Sequence, residues 1–203
     1  MPTSLPDEWI LDYASAAAPM AVRVLVGSAA EINPAIRRKV ELAEQIGHTA
    51  FEVNSWRGVV PEPDVEIEKP IAAPCRDPIF PQALARLGFE VGVTPWRSRL
   101  GGVQGCKIDR LSEPGVDARL LKIQPGSGIP HHDHGGEELT LVLSGGFSDE
   151  AGSYHRGDVC YGEAGVAHRP VGLPGEPCIC FAVSLGGYKF RNPFMSLAAR
   201  LVS

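Results

Sequence analysis

The feature that most constrains this chain is a short run of metal-ligating residue types at spacings of two and four: His132, Asp133, His134 and, four residues on, Glu138. Side chains on an extended strand alternate between faces with a period of two. His132, His134 and Glu138 therefore share one face, while His131, Asp133 and Glu137 point the other way. A later histidine, His168, can return beside the first strand. Two imidazoles on one wall, a carboxylate further along and a third imidazole from across a β framework make a cage for one ion. Three neutral nitrogens and one oxygen suit a divalent transition metal, with no thiolate required. Zinc is the leading expectation, and iron, manganese, nickel and copper are compatible with the same donors. His131, with the opposite parity, and His155, just before a turn, are expected to be solvated.

Composition agrees with a strand-rich fold. Gly 23 and Pro 18 in 203 residues amount to about a fifth of the chain, against roughly 12% in average usage. That much turn chemistry excludes an all-helical bundle and favours many short strands. Expected strands are Ala118–Ile123, Glu138–Leu143, Gly157–Tyr161, Ala167–Val171 and Cys178–Val183, with turns at Gly145-Gly146 and Arg156-Gly157. On the strand after Glu138, the residues Leu139, Leu141 and Leu143 form an apolar row on the face opposite the ligands. Such a row needs cover: the N-terminal helices, a second copy in a homodimer, or the other strands. Cys178 and Cys180 also share one face of a strand. If that face is the interior, they are candidates for a redox- or electrophile-sensitive pair close to the ligands. The alternative is two small buried side chains that only pack.

The first 50 residues read differently. Ser4 and Asp7 resemble a capping box before a short helix over Glu8 to Ala16. Pro19 suits the first position of a second helix, running to about Ala30. Asn33 and Pro34 open a third, with Ile36, Val40, Ala43 and Ile46 on one face and Gly47 as its stop. His48 then follows the helix end. Six prolines between positions 61 and 81 favour an extended connector. A short helix over Pro81 to Leu87, with Gly88 behind it, opens the next unit. The expected organisation is a helical domain at 1–50, a proline-rich linker at 51–80 and a barrel at 81–203.

The net charge of -5 excludes a strong case for direct nucleic-acid binding, which needs a basic footprint. No stretch is long and apolar enough to span a membrane. The first ten residues are acidic where a signal peptide would be basic. Five cysteines, an odd number, do not make a disulfide framework, so the expected compartment is the cytoplasm. Nucleophile-elbow, P-loop and Rossmann fingerprints are missing from the sequence.

The glycines around the histidines sharpen the reading. Gly126, five residues, His132-Asp133-His134, three residues, Glu138, six residues and Gly145 form one block. Gly157, five residues, Glu163, Ala164, Gly165, two residues and His168 form another. These resemble the two cupin motifs, with Glu163 at a usual proline and Gly172 at a frequent asparagine. The resemblance implies a mainly β fold: a C-terminal RmlC-like double-stranded β-barrel, or jelly roll, preceded by a small helical domain. It also implies His132, His134, Glu138 and His168 as ligands.

Further blocks carry a narrower likeness: Trp96-Arg97-Ser98, Ala118-Arg119-Leu120-Leu121, Glu138 to Leu143, His168-Arg169-Pro170-Val171 and Cys178-Ile179-Cys180. Leu11 to Ala16 and Asn33 to Arg37 extend it into the helical part. Together they resemble the ChrR family of anti-sigma factors, which hold an extracytoplasmic-function sigma factor inactive until singlet oxygen or a related stress. The resemblance implies a sigma-factor partner, a barrel that senses oxidative stress or a small molecule, and a role in transcription regulation. In that family the helical domain carries its own zinc on a histidine and a CxxC pair, plus an N-terminal histidine. Here Ala29 stands at the histidine, Asn33 and Ile36 stand at the two cysteines, and no histidine precedes His48. The helices are therefore expected to fold without that ion. The competing expectation is a metal-dependent cupin enzyme, a dioxygenase or isomerase, in which the ion activates oxygen or acts as a Lewis acid. The regulatory reading is preferred on the two-part layout, the resemblance over the whole chain and the Cys178/Cys180 pair.

Overall fold

The run from Met20 to Ile32 contains apolar residues on nearly all sides, and this α2 helix is the element around which the N-terminal half is organised. It packs against α1 (Asp7–Ala14) and α3 (Pro34–Val53), which also contact each other, and α4 (Gln82–Arg86) packs against it from further along the chain. The computed structural model describes residues 5–53, 79–98, 102–186 and 188–190. The proline-rich segment 54–78, Ser4 and Cys75 lie outside the described residues.

Local chemistry accounts for most of the helix boundaries. Asn33 precedes Pro34, and its Oδ1 accepts the backbone N–H of Ala35 at 2.9 Å and of Ile36 at 3.5 Å, a side-chain N-cap. The N-terminus of α4 is capped from a distance: the Gln82 N–H lies 2.9 Å from one carboxylate oxygen of Glu31 on α2. Pro19 precedes Met20 as the cap residue of α2 and is not its first helical position. Nor does Gly47 stop α3. The helix continues to Val53, so it carries His48 within it and enters the stretch expected to be linker. A glycine costs only about 1 kcal/mol in a helix interior, and neighbouring turns outweigh it.

The remainder is β structure in which all the strand pairs are antiparallel, with one isolated parallel bridge between Pro125 and Gly172. In chain order the strands are β1 (Arg97–Ser98), β2 (Val103–Lys107), β3 (Val116–Ile123), β4 (His132–His134), β5 (Glu138–Ser144), β6 (Gly146–Ser148), β7 (Ser153–His155), β8 (Val159–Gly162), β9 (Val171–Gly172), β10 (Cys178–Leu185) and β11 (Tyr188–Phe190). Six of them form one sheet in the order β1-β2-β3-β10-β5-β8. Facing it are a three-stranded sheet, β7-β6-β9, and the pair β11-β4. The expected strand at Ala167–Val171 is reduced to β9. Only His168 upstream of it pairs, in an isolated bridge to His132. Pro170 and the turn at Gly165 break the ladder before it can extend.

The six-stranded sheet has two buried faces. Inward-facing Val103, Leu121, Ile123, Val142, Cys178, Cys180 and Ala182 meet Phe147 and Tyr154 of the smaller sheet, whose rings stack with centroids 4.9 Å apart. Outward-facing Leu139, Leu141, Leu143, Phe181 and Val183 pack with Val22, Leu25, Val26 and Ala29 of α2 in one continuous core. Of the three covers open to the leucine row, the N-terminal helices supply it. Each such leucine contributes about 1.5–3 kcal/mol by leaving water, so the helices and the β framework stabilise each other.

Polar contacts seal the same seam. The Asn33 amide donates to the Gly157 carbonyl at 3.0 Å. The Arg156 guanidinium donates to the Leu143 carbonyl, and the Tyr161 hydroxyl donates to the Glu137 carboxylate. Gly157 has φ +89°, and a Cβ there would meet the Ile32 side chain at 3.2 Å. The turn between β7 and β8 needs glycine both for its backbone and for this close approach.

Candidate metal centre

The single face expected to run from His132 to Glu138 is not one strand: β4 ends at His134, the chain bends at Gly135-Gly136, and Glu138 opens β5 in a different sheet, so the side chains meet across two sheets. His132, His134 and Glu138 are 2%, 1% and 6% exposed on the inner face, while His131 points to solvent. His155 is exposed as well. His168 arrives from the segment between β8 and β9. It is held to β4 by two backbone hydrogen bonds, His132 N–H to His168 C=O at 3.2 Å and His168 N–H to His132 C=O at 3.0 Å. One potential ligand atom from each of His132, His134, Glu138 and His168 lies within 4.8 Å of all the others. His134 Nε2 is 3.2 Å from His168 Nε2 and 3.3 Å from Glu138 Oε2. The last pair, His168 Nε2 and Glu138 Oε2, is 3.7 Å apart. Converging acceptor nitrogens at this spacing around one carboxylate match what a cation would coordinate.

The protonation tendencies fit the same use. Burial, with the neighbouring imidazoles, lowers His132 to about 4 and His134 to about 3. Both rings are neutral near pH 7, the state a metal ligand needs. His168 goes the other way. Burial opposes its charge, but the hydrogen bond to Asp149 and the carboxylate of Glu138 outweigh it and raise the pKa.

Two partners of the ligand rings were missed in the sequence. The Pro130 carbonyl accepts from His132 Nδ1 at 2.9 Å. Asp149 Oδ2, in the turn after β6, lies 3.2 Å from His168 Nδ1. Asp149 carries no spacing signal relative to His168, because the contact crosses between two loops. Its one local sign is that it opens a polar turn closed by Gly152.

Cys178 and Cys180 are both buried on the inner face, with Cys160 in the same cluster. A hydrogen bond with Cys178, together with burial, raises the Cys180 pKa well above the usual thiol value. Burial also pushes Cys160 up to about 12. Cys160 and Cys180 are thus held as neutral thiols. In the helical half, the three positions that the resemblance likens to zinc ligands hold other side chains. Ala29 is fully buried against the core, Ile36 packs partly buried against it, and Asn33 is the α3 cap.

Known proteins share this architecture. The family described as the ChrR cupin-like domain matches residues 85–186, half of the chain. Anti-sigma-E factor ChrR of Cereibacter sphaeroides is 34% identical over 152 residues, covering 74% of this chain and 70% of that protein. A crystal structure of Rhodobacter sphaeroides SigE in complex with the anti-sigma ChrR aligns with TM-score 0.73 and 26% identity, covering 89% of this chain and 97% of the matched one. That alignment spans the helices as well as the strands, and on these grounds the chain belongs to the ChrR family.

Proposed function

We propose that this chain is an anti-sigma factor whose helical half binds an extracytoplasmic-function sigma factor and whose barrel holds one divalent metal ion at His132, His134, Glu138 and His168. The observation that carries the reading is the match over both halves to a ChrR chain from a complex with SigE. The helical half keeps its fold here through the Asn33 cap and the α2 core, in place of a bound ion. Zinc is the ion first expected. It would serve as a fixed positive charge and Lewis acid within the barrel.

The barrel is the sensing half. A small molecule or oxidant acts at the ligand cluster, or at Cys178 and Cys180 in the inner wall of the same barrel. Since these thiols are buried and Cys180 is held protonated, an oxidant that reaches the pair is small and uncharged. Sigma factors act on the transcription machinery, so the working compartment is the cytoplasm. Among the described residues, no helix is long and apolar enough to cross a membrane.

The test is co-expression of the full chain with each extracytoplasmic-function sigma factor of its own cell, followed by size-exclusion chromatography and metal analysis of the complex. A one-to-one complex with one ion per chain is the expected result. Failure to co-elute with any of them refutes the partner. Loss of the ion in His134→Ala, with sigma binding kept, assigns the ion to the barrel.

A further inference from the structure

We propose that Asp149 is the positioning residue of the barrel site, fixing which ring nitrogen of His168 faces the cluster, and that Cys160 steadies the same carboxylate. This rests on the reading that the four-residue cluster holds an ion.

The need for such a residue follows from the backbone. His132 and His134 lie on β4, and Glu138 lies on β5 between β10 and β8, so their Cα positions are set by strand pairing. His168 is outside every strand and has only its bridge to His132. That bridge fixes its Cα and leaves the imidazole free to present either nitrogen.

Asp149 removes that freedom. Its Oδ1 accepts the backbone N–H of Ala151 at 2.9 Å and of Gly152 at 3.2 Å, which anchors the carboxylate in the turn between β6 and β7. Its Oδ2 faces His168 Nδ1 at 3.2 Å. A carboxylate only accepts, so Nδ1 carries the hydrogen. Nε2 is then the nitrogen directed at His134 and Glu138, and it supplies the lone pair. Cys160 Sγ lies 3.8 Å from the same Oδ2, a second and weaker donor. The next residue reinforces the grip: Glu150 Oε2 accepts the Arg169 N–H at 3.0 Å. The 149–150 turn thus clamps the one ligand that the strands leave loose.

Asp149, Cys160 and His168 also bring three donor atoms within 4.8 Å of one another. A second ion there would have to displace the Nδ1 hydrogen and turn His168 into a bridging imidazolate. The hydrogen-bonded arrangement needs no such loss.

The experiment uses the full chain, zinc or cobalt(II) titration, and nitrogen NMR of the apo-protein at pH 9. Wild-type protein is expected to bind one ion and to show His168 as the Nδ1–H tautomer. Asp149→Asn keeps the shape and the Oδ1 acceptor but presents an N–H donor to His168 Nδ1. It is expected to switch the tautomer, weaken the ion by about 10- to 100-fold and alter the cobalt visible spectrum, while the apo-protein melts as before. Cys160→Ser, which keeps a donor, is expected to stay within about threefold of wild type. Wild-type affinity and spectrum in Asp149→Asn overturn the proposal. So does a wild-type His168 in the Nε2–H form, a result that needs no metal and no variant. Two ions per chain, one lost in Cys160→Ser, would mark a second metal site in place of a positioning role. Absence of any ion from wild-type protein refutes the metal reading itself, and the proposal falls with it.

Discussion

Replacing Asn33 tests whether the helical half is held by a cap and a seam contact. Its side chain makes three hydrogen bonds: Oδ1 accepts from Ala35 and Ile36 at the start of α3, and Nδ2 donates to the Gly157 carbonyl across the seam. Loss of an N-cap costs about 1 kcal/mol, within a range of roughly 0.5–2. Loss of a neutral hydrogen bond costs about 1 kcal/mol more. Asn33→Ala is therefore expected to destabilise the protein by about 2 kcal/mol, lowering Tm by about 4–8 °C for a chain of this size. Asn33→Asp separates the two parts. The carboxylate still caps α3 but cannot donate to Gly157, so its cost should be about half that of the alanine variant. Urea denaturation followed by tryptophan fluorescence reads both halves, since Trp9 is buried in the helical part and Trp96 packs against the shared core. An alanine variant within about 0.5 kcal/mol of wild type would refute the reasoning. An aspartate variant as damaged as alanine would show that the seam, and not the cap, carries the effect.

Leu141→Ala removes a fully buried side chain from the face of β5 against α2 and should cost about 2–5 kcal/mol in the same assay, with metal affinity retained. Because His132 and His134 titrate at about 4 and about 3, metal loading near neutral pH should displace at most one proton, from His168, whose pKa is raised. Affinity should then fall about tenfold per pH unit below the His168 pKa, and a slope near three protons by calorimetry in buffers of different ionisation heat would contradict this. Stripping the ion with a chelator should leave the far-ultraviolet signature of α1 to α3 unchanged, because Ala29, Asn33 and Ile36 occupy the helical positions by packing and capping; melting of those helices on chelation would count against it.

What was legible in the sequence was whatever depends on local periodicity. Alternation within β4 put His132 and His134 on one side, and alternation within β5 put Leu139, Leu141 and Leu143 opposite Glu138; the one face expected to join all three polar residues is instead a meeting of two strands in different sheets. Asn33 before Pro34 announced its cap through side-chain chemistry that acts within three residues. The misses have non-local causes. The expectation of a stop at Gly47 used a local preference worth about 1 kcal/mol, which a long helix overrides. His168 was expected on a strand, but its segment is set by one bridge and by loop contacts. Asp149 could not be read at all, because its tie to His168 joins residues 19 apart through two turns.

The same periodicity explains how a signal at the site could reach the helices. On β5, Glu138 faces the histidines while Leu139 and Leu141, its neighbours along the strand, face α2. On β10, Cys178 and Cys180 face the barrel interior while Phe181 and Val183 face the helical side. Glu138 and the helix-packing leucines are thus on two sides of one strand, while the three histidines meet Glu138 from β4 and from the segment before β9. Packed interiors have few voids to absorb a displacement, so under the proposed function a shift of Glu138 on ion loss, or of β10 on thiol oxidation, would move leucine and phenylalanine side chains against α2. Had the leucine row been covered by a second subunit, the same shift would have altered an association between copies. Covered by α2, it acts on the half of the chain that the proposed function assigns to the sigma factor.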